Sequence, residues 1–502
     1  MTLTAAHLKR FKAALAHSVV ALLFGLGTSQ ALATDVNISN KPLDTLDGVP
    51  ANILLTMDDS GSMSWSYLPD GIRNDRTTNR GKSSTFNRMY YDPTVTYLPA
   101  VDKNGASLGD ATFTAAWTNG FDQGTTVNLS TSFRPTWRYE EDNNGESYAG
   151  AAEPAYYYKF DTSNTTTAAP AGTCDINEAG HVASDACYTK VVVTTSSGVN
   201  RYDPDFTDCA PRDTTNTDCY TISEEHNFAN WYSYYRKRHL LAKTATSRAF
   251  SELSTSVRVT WQYLNDDAID SVAEIPDTLP FDSTHRDNFF SWLNDVPFDG
   301  GTPLPDAMDR AGKKYRLDSV YRKDPADANS EMYTCRQNFH FMFTDGYWNN
   351  DLDDTVGNYD NSSSLALPTT ASSPFGNINY NANTTKTANQ APPIYRDGNS
   401  NYLADIAFYY WATDLNNIAD DVPTFITDIS TDIDGDGDVD DNDIFWNPAN
   451  DPADWQHMVN FTVGLGVDGT IPFDGTTTSG TSYNQLMLGA AGGGIDWSND
   501  EI

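Results

Sequence analysis

The segment NILLTMDDSGSM, residues 52–63, joins a short apolar run to a cluster of oxygen-bearing side chains. The apolar part, residues 53–57, has the length and composition of a strand that is buried on both faces of a parallel sheet. It stops at Asp58, and Ser60 and Ser62 follow at alternate positions. Hydroxyl and carboxylate oxygens are the hard ligands that Mg²⁺ and similar divalent ions prefer. The segment therefore predicts a strand with candidate metal ligands at its carboxyl end, although Ser and Asp also fill ordinary turns.

Two later segments favour the metal interpretation. GGTPLPDAM, residues 300–308, places Thr302 just before a helix that starts with Pro, and FHFMFTDG, residues 339–346, is a second apolar strand that ends in Asp345. In open α/β sheets, ligands gather outside the carboxyl ends of the strands. We therefore expect the three segments to meet there.

In this order, the DxSxS of Asp58, the Thr of GGTPL and the Asp of FTDG resemble the metal-ion-dependent adhesion site of a von Willebrand factor A domain. The resemblance implies that Ser60, Ser62 and Thr302 hold the ion with their hydroxyls, while Asp58 and Asp345 act directly or through water. The ion would be Mg²⁺ or another divalent ion. Its open coordination position would take a carboxylate from a partner protein.

The amino-terminal residues 1–33 have the pattern of a secretory signal peptide. Lys9, Arg10 and Lys12 form its basic region, residues 13–26 its apolar core, and residues 31–33 an A-x-A cleavage site. The apolar core is too short for a comfortable transmembrane span. We therefore expect an exported protein with no transmembrane segment in its mature chain.

The charge of the chain excludes nucleic acid as a partner. It has 32 Lys and Arg against 68 Asp and Glu, which gives a formal net charge of −36. So acidic a chain repels nucleic acid and anionic membrane surfaces.

The five cysteines predict two local disulfides in an oxidising compartment. Cys174 would pair with Cys187, and Cys209 with Cys219, because each pair is close in sequence. Cys335 is left over. We expect it to be a buried thiol, with an intermolecular bridge as the alternative.

Strand and helix patterns alternate after residue 226, which predicts an α/β fold with a doubly wound, mostly parallel sheet of the von Willebrand factor A type. Residues 224–253 have apolar side chains at helical spacing and predict one long helix, and its RKRH cluster, residues 236–239, is interpreted as a solvated helix face. Further helices are expected at 284–295, 303–315 and 402–415, and a buried strand at 458–467. The domain would cover residues 34–495. It would carry a disulfide-containing, β-rich insertion at 64–225, with strands near 156–160 and 190–195, and a long loop at 349–400, and a tail at 496–502 would follow it.

The aromatic segments FNRMYYDP (86–93), NFANWYSYYRKRHLLAK (227–243) and WQHMVNFTVGLGV (455–467) are similar to the amino-terminal half of the PilY group of type IV pilus biogenesis factors and tip adhesins. The resemblance implies an adhesion and pilus-assembly module. Its partners would be pilin or minor pilins, or a host surface or matrix protein. Its location would be the pilus, the cell surface or the outer membrane, reached through the periplasm. Members usually continue into a carboxyl-terminal β-propeller, which is absent before Ile502, so a truncated chain and a propeller supplied separately both remain open.

The acidic segment DIDGDGDVDDND, residues 432–443, has the spacing of an EF-hand-type Ca²⁺ loop. Gly437 stands at loop position 6, where the sharp turn needs it, and Val439 at position 8, where an apolar residue anchors the loop. The alternative is a merely solvated acidic loop. Pro423 interrupts any incoming helix, so we predict a solitary Ca²⁺ loop. Its predicted ligands are Asp432, Asp434, Asp436, Asp438 through its carbonyl, Asp440 and Asp443.

No pattern in the chain indicates an enzyme. The eight His are scattered, and there is no HExxH, GxSxG or Walker motif. Two hypotheses of different kinds remain. The chain is a metal-dependent adhesion and assembly module, or it is a structural, Ca²⁺-stabilised periplasmic pilus-priming component without an external ligand.

Overall fold

The computed structural model describes residues 49–140, 145–194, 198–201, 220–265, 272, 275–346, 348, 356–362, 364–370, 373–381, 400–430, 432, 438–447 and 449–466. The predicted signal peptide, Cys209, Cys219, Asp434, Asp436 and the tail at 496–502 lie outside them.

The strands, in chain order, are β1 (Ala51–Met57), β2 (Ala116–Trp117), β3 (Thr126–Val127), β4 (Thr136–Glu140), β5 (Gly145–Tyr148), β6 (Tyr156–Phe160), β7 (Thr165–Thr166), β8 (Gly172–Thr173), β9 (Tyr188–Val192), β10 (Gly198–Arg201), β11 (Tyr220–Ser223), β12 (Val257–Tyr263), β13 (Leu279–Pro280), β14 (Asn338–Thr344), β15 (Leu365–Ala366), β16 (Asn379–Tyr380) and β17 (Val459–Gly464). The helices are α1 (Ala179–Val182), α2 (Glu224–Tyr234), α3 (Arg238–Ser251), α4 (Ser283–Asn294), α5 (Leu304–Tyr315), α6 (Asp318–Tyr321), α7 (Leu403–Ala412) and α8 (Asp441–Trp446).

The central sheet has the strand order β13-β12-β1-β14-β17. Strand β1 pairs in parallel with both β12 and β14, and β14 pairs in parallel with β17, while β13 is antiparallel to β12. After β1, the chain first forms β12 on one side of β1 and later forms β14 on its opposite side. The strand order therefore reverses next to β1, which is where open α/β sheets bind ligands. The prediction of an α/β fold is confirmed.

Helices cover both faces of this sheet. On one face, Leu54 and Met342 pack in a buried cluster with Met308 of α5 and Tyr410 of α7. On the other face, Trp261 of β12 packs against the rings of α4, its centroid 5.3 Å from that of Phe289. The near-continuous apolar run of β1 follows from this double coverage, because both sets of its alternate side chains are buried.

A chain of buried polar side chains ties β1 to both of its neighbours. The Gln262 Nε2 of β12 donates to Thr56 Oγ1 at 2.8 Å, and Thr56 Oγ1 lies 2.7 Å from His340 Nε2 of β14. Burial lowers the pKa of His340 to about 4, so its ring is neutral near pH 7. These contacts fix the three strands against one another, near the carboxyl ends of β1 and β12 and in the middle of β14.

The predicted insertion is built of small two-stranded pairings, β2 with β3, β4 with β5, and β6 with β9. Its aromatic core packs on α2, where Tyr91 and Phe133 meet Phe228 with ring centroids 4.8 and 5.2 Å apart. The predicted disulfide between Cys174 and Cys187 is present, with the two Cα atoms 5.6 Å apart.

Three expectations about the fold are wrong. The helix predicted over 224–253 is broken between Tyr234 and Arg238, with Lys237 in an extended conformation. Strand β17 lies at the described edge of the sheet, and residues 461–464 are exposed rather than buried. Cys335 is a half-buried free thiol rather than a fully buried one. Of the predicted loop at 349–400, the described parts contain the short antiparallel pair of β15 and β16.

Candidate metal site

The hydroxyls of the DxSxS segment lie against the carboxylate that ends β14. Ser60 Oγ is 2.9 Å from Ser62 Oγ, and Ser62 Oγ donates to Asp345 Oδ1 at 2.8 Å. Ser60 and Asp345 are each 1% exposed. The structure therefore brings together three of the five residues predicted for the adhesion site through direct side-chain contacts.

Asp58 organises the backbone around this cluster. It is fully buried, and its Oδ1 accepts a hydrogen bond from the Ser60 N–H at 2.8 Å. Its Oδ2 accepts from Thr344 Oγ1 at 2.7 Å and from the Asp345 N–H at 3.2 Å. One carboxylate thus joins the turn after β1 to the end of β14, and it fixes where the serines and Asp345 stand.

The GGTPL loop is docked on the same turn by its backbone. The Gly61 N–H donates to the Gly300 carbonyl at 3.0 Å, and the Gly300 N–H donates to the Asp59 carbonyl at 3.2 Å. Thr302 follows two residues later and is 7% exposed. The loop therefore brings Thr302 to the same end of the sheet as the serines, just ahead of α5.

Asn265, which the sequence analysis did not identify, holds this loop in place. Its Nδ2 donates to Asp59 Oδ1 at 2.8 Å and to the Gly301 carbonyl at 2.7 Å, and its N–H donates to the same Asp59 oxygen. Burial raises the pKa of Asp59 to about 6, against these hydrogen bonds. Asp59, the second Asp of DDSGS, therefore holds the GGTPL loop in place through Asn265. No sequence signal other than its place just after β12 pointed to Asn265.

Arg238, at the start of α3, also reaches the site. Its Nη1 donates to Asp345 Oδ2 at 3.0 Å, and its Nη2 forms an ion pair with Asp70. Its side chain is fully buried. The interpretation of the RKRH cluster as a solvated helix face is therefore wrong, since Arg236 is also only 3% exposed.

The electrostatics of the site favour a bound cation. Burial, reinforced by the neighbouring Asp58, raises the pKa of Asp345 to about 7, although Arg238 and Ser62 act in the opposite direction. The nearby Asp58 carboxylate thus disfavours the charge on the buried Asp345, and a divalent ion would remove that penalty. The donor set of hydroxyl and carboxylate oxygens fits Mg²⁺ or a similar hard ion.

This site is built mainly of hydroxyls. Within the described ranges, no group of three or more His, Cys, Asp or Glu side chains has an arrangement that could hold a metal ion. A metal at the DxSxS turn would accordingly depend on Ser60, Ser62 and Thr302.

The acidic loop is described only in part. Of its predicted ligands, Asp432, Asp438, Asp440 and Asp443 are described. Helix α8 begins at Asp441, and the Asp440 and Asp443 carboxylates each accept from the other residue's N–H, at 3.2 and 3.0 Å. Val439 is 37% exposed, so its predicted anchoring role is wrong. Phe445 is 2% exposed and packs in a cluster with Trp455, and it attaches the end of the loop to the body of the protein.

No protein-family model and no solved structure matches the chain. It is similar to proteins named type IV pilus biogenesis factor PilY1 from Pseudomonas aeruginosa. It is 36% identical to that of strain UCBPP-PA14 over 482 residues and 35% identical to that of strain PAK over 505 residues. These matches cover 91% and 95% of this chain but only 35% and 37% of the relatives. The chain thus spans little more than a third of the length of the curated relatives it matches.

Proposed function

Because the chain belongs to the family of the type IV pilus biogenesis factor PilY1, we propose that it serves pilus assembly and adhesion as a metal-dependent module that binds an acidic group on a protein partner. The relatives are named as biogenesis factors, which is consistent with a role that is not enzymatic. Pilin, minor pilins and a host surface or matrix protein are the proposed partners. Export through the predicted signal peptide is part of the same proposal.

The observation that supports this function most is the contact of Ser60, Ser62 and Asp345 at the strand-order reversal. Asp58 is occupied by backbone and hydroxyl donors, so the oxygens left for an ion are mostly neutral. A divalent ion held by few charged ligands keeps an excess of positive charge, and it supplies an electrostatic attraction for a partner carboxylate. Thr302 would complete the set of hydroxyl ligands.

The experiment measures binding of the chain to purified type IV pili with Mg²⁺ present and after chelation, for the wild type and Thr302→Ala. Thr246→Ala is the matched control, since Thr246 is a similarly buried threonine of α3 at 5% exposure. We expect chelation and Thr302→Ala to abolish binding while circular dichroism stays unchanged. Binding that survives both changes would contradict the proposed function.

The structural alternative has an observation in its favour. The Asp58 carboxylate already accepts two hydrogen bonds from the end of β14 and a third from the turn after β1, as a purely structural group would. If the ion serves only stability, chelation should lower the unfolding temperature and leave no metal-dependent binding at any temperature where the chain is folded.

We also propose that residues 432–443 bind Ca²⁺. Helix α8 begins at the tenth position of the segment, as the exiting helix of a Ca²⁺ loop does, and Asp443 occupies the position of the last ligand. Calorimetric titration of Ca²⁺ into the wild type and into an Asp432→Ala/Asp436→Ala variant tests this. Equal stoichiometry in the two proteins would exclude the loop as a Ca²⁺ site.

A further inference from the structure

The guanidinium of Arg238 is fixed from every side. Its Nε and Nη2 donate to the Tyr67 carbonyl at 3.1 and 2.8 Å, and its Nη1 reaches both the carbonyl and Oδ2 of Asp345. The rings of Trp65 and Tyr67 have their centroids 5.1 and 5.3 Å from its Cζ. A desolvated arginine with its donors engaged in this way has a single position.

The two oxygens of Asp345 have different partners as a result. Oδ2 faces Arg238, whereas Oδ1 accepts from Ser62 on the side of the hydroxyl cluster. The carboxylate can therefore present only one oxygen to an ion at the serines, and the charge on its other oxygen is compensated by the arginine.

We propose that Arg238 is a positioning residue that sets the affinity of the site for an acidic partner, by holding Asp345 in one orientation and cancelling its charge. This inference rests on the proposed function. Asp58 and Asp345 together would neutralise a divalent ion. Arg238 offsets part of the charge of Asp345, and Asp70 compensates the arginine only from its other side, so part of the ion's positive charge remains to attract a partner carboxylate and metal binding is correspondingly weaker.

The charge argument predicts opposite effects for a substitution of Arg238 and for a substitution of its ion-pair partner Asp70. Arg238→Met removes the positive charge, so metal binding should become stronger and carboxylate capture weaker. Asp70 pairs with the far side of Arg238 and is 33% exposed. Asp70→Asn leaves more of the arginine's charge uncompensated, so it should weaken metal binding and strengthen carboxylate capture. Coulomb interactions over a few ångströms in a buried site are large enough for changes of about tenfold.

The test titrates Mn²⁺ into the full chain with and without saturating acetate, using the unfolding temperature and the relaxation of water protons by bound Mn²⁺ as readouts. The matched control is Arg236→Met. Arg236 is also buried, but its Nη1 donates to the Tyr232 carbonyl and it stacks on the Tyr232 ring. We expect Arg238→Met to bind Mn²⁺ about tenfold more tightly and to lose the effect of acetate, while Arg236→Met behaves as the wild type.

If Arg238→Met does not fold, the Asp70→Asn variant is used to test the proposal. It should bind Mn²⁺ about two- to fivefold more weakly and respond more strongly to acetate. Unchanged Mn²⁺ and acetate responses in the folded variants, or changes of the same sign in both, would overturn the role of Arg238. A wild type that does not bind Mn²⁺, or binds it equally after Thr302→Ala, would instead refute the proposed function.

Discussion

Gly300 carries no side chain at the point where the GGTPL loop meets the turn after β1. A Cβ atom there would lie 2.3 Å from Asn265 Nδ2 and 2.5 Å from its Cγ, and Asn265 is held by Asp59 and the Gly301 carbonyl. The position therefore requires glycine because of the space that Asn265 occupies.

Gly300→Ala should consequently move Asn265 and release the loop that carries Thr302. We expect a loss of about 1–3 kcal/mol in the free energy of unfolding, as for other overpacked sites, together with weaker Mn²⁺ binding. Urea unfolding and Mn²⁺ titration measure the two effects. Gly61→Ala is the control, because the nearest atom to its Cβ would be 3.9 Å away. Equal effects of the two substitutions would contradict the packing argument.

His457 and Asp451 form a buried ion pair, with His457 Nε2 3.0 Å from Asp451 Oδ2. Burial alone would lower the pKa of His457, but Asp451 and the hydrogen bonds of the ring raise it above 6.5. Burial also opposes the charge on Asp451, yet His457 lowers that pKa below 3.8. The stabilisation from His457 is fully present below pH 6.5 and is lost as pH rises through its raised pKa. The contribution of Asp451 is present above pH 3.8 and is lost as pH falls through its lowered pKa.

His457→Gln should therefore lower the free energy of unfolding more at pH 5 than at pH 9, by about 2 kcal/mol at the lower pH. Urea unfolding of the wild type and variant at both pH values measures this. In an Asp451→Asn background the pH dependence should disappear. A cost that is the same at both pH values would show that the pair is not ionised.

The break between α2 and α3 is a feature that the helical spacing of the sequence does not predict. The segment from Trp231 to Lys243 contains neither Gly nor Pro, so helical spacing predicts one continuous helix. Tertiary contacts decide otherwise: the Tyr235 hydroxyl donates to the Leu98 carbonyl at 2.6 Å, and the Arg238 N–H donates to the Trp65 carbonyl at 3.0 Å. Both partners lie more than a hundred residues away, in the insertion. Intrinsic helix propensity is a local property and does not include such distant contacts.

The contact between α5 and α7 depends on a glycine. A Cβ on Gly312 would lie 2.3 Å from ring carbons of Tyr410, whose hydroxyl donates to Asp309 Oδ1 at 2.7 Å. Alanine gains about 1 kcal/mol over glycine in a helix interior, whereas overpacking a core costs about 1–3 kcal/mol.

We therefore expect Gly312→Ala to be destabilising in the wild type, because the steric cost exceeds the gain in helix propensity. In a Tyr410→Leu background the same substitution should become neutral or stabilising. A double-mutant cycle of urea unfolding measures the change of sign. A stabilising Gly312→Ala in the wild type would mean that the two helices separate freely.

Across the molecule, the sequence was most informative where one segment carries both structure and chemistry. Asp58 directly follows β1 and Asp345 directly follows β14, and Ser60 and Ser62 come just after Asp58, so the strands and the candidate ligands are predicted together, and the strand order brings these segments into contact. The sequence pattern misplaces Arg238 on a solvated face, because its partners Tyr67, Asp70 and Asp345 come from two distant segments.

In the described part of the chain, no helix is both long and apolar enough to cross a membrane.

The cysteines offer a test of the insertion. Cys174 and Cys187 are 3% and 0% exposed and pack beside Tyr188. Replacing both by Ala should lower the free energy of unfolding by about 3 kcal/mol, the value expected for a loop of this length. Non-reducing peptide mapping should find Cys174 linked to Cys187 and Cys209 to Cys219, with Cys335 free. A peptide that links Cys335 to any of the others would contradict this pairing.

The most direct measurement is the anomalous scattering of Mn²⁺ in crystals of the chain grown or soaked with the ion. We predict a peak bounded by the hydroxyls of Ser60, Ser62 and Thr302, with Asp345 beside it, and its loss in Thr302→Ala crystals treated identically. If the wild-type crystals show no peak there and the Ser60, Ser62 and Asp345 oxygens keep their direct hydrogen bonds, the DxSxS turn is a structural element and not a metal site.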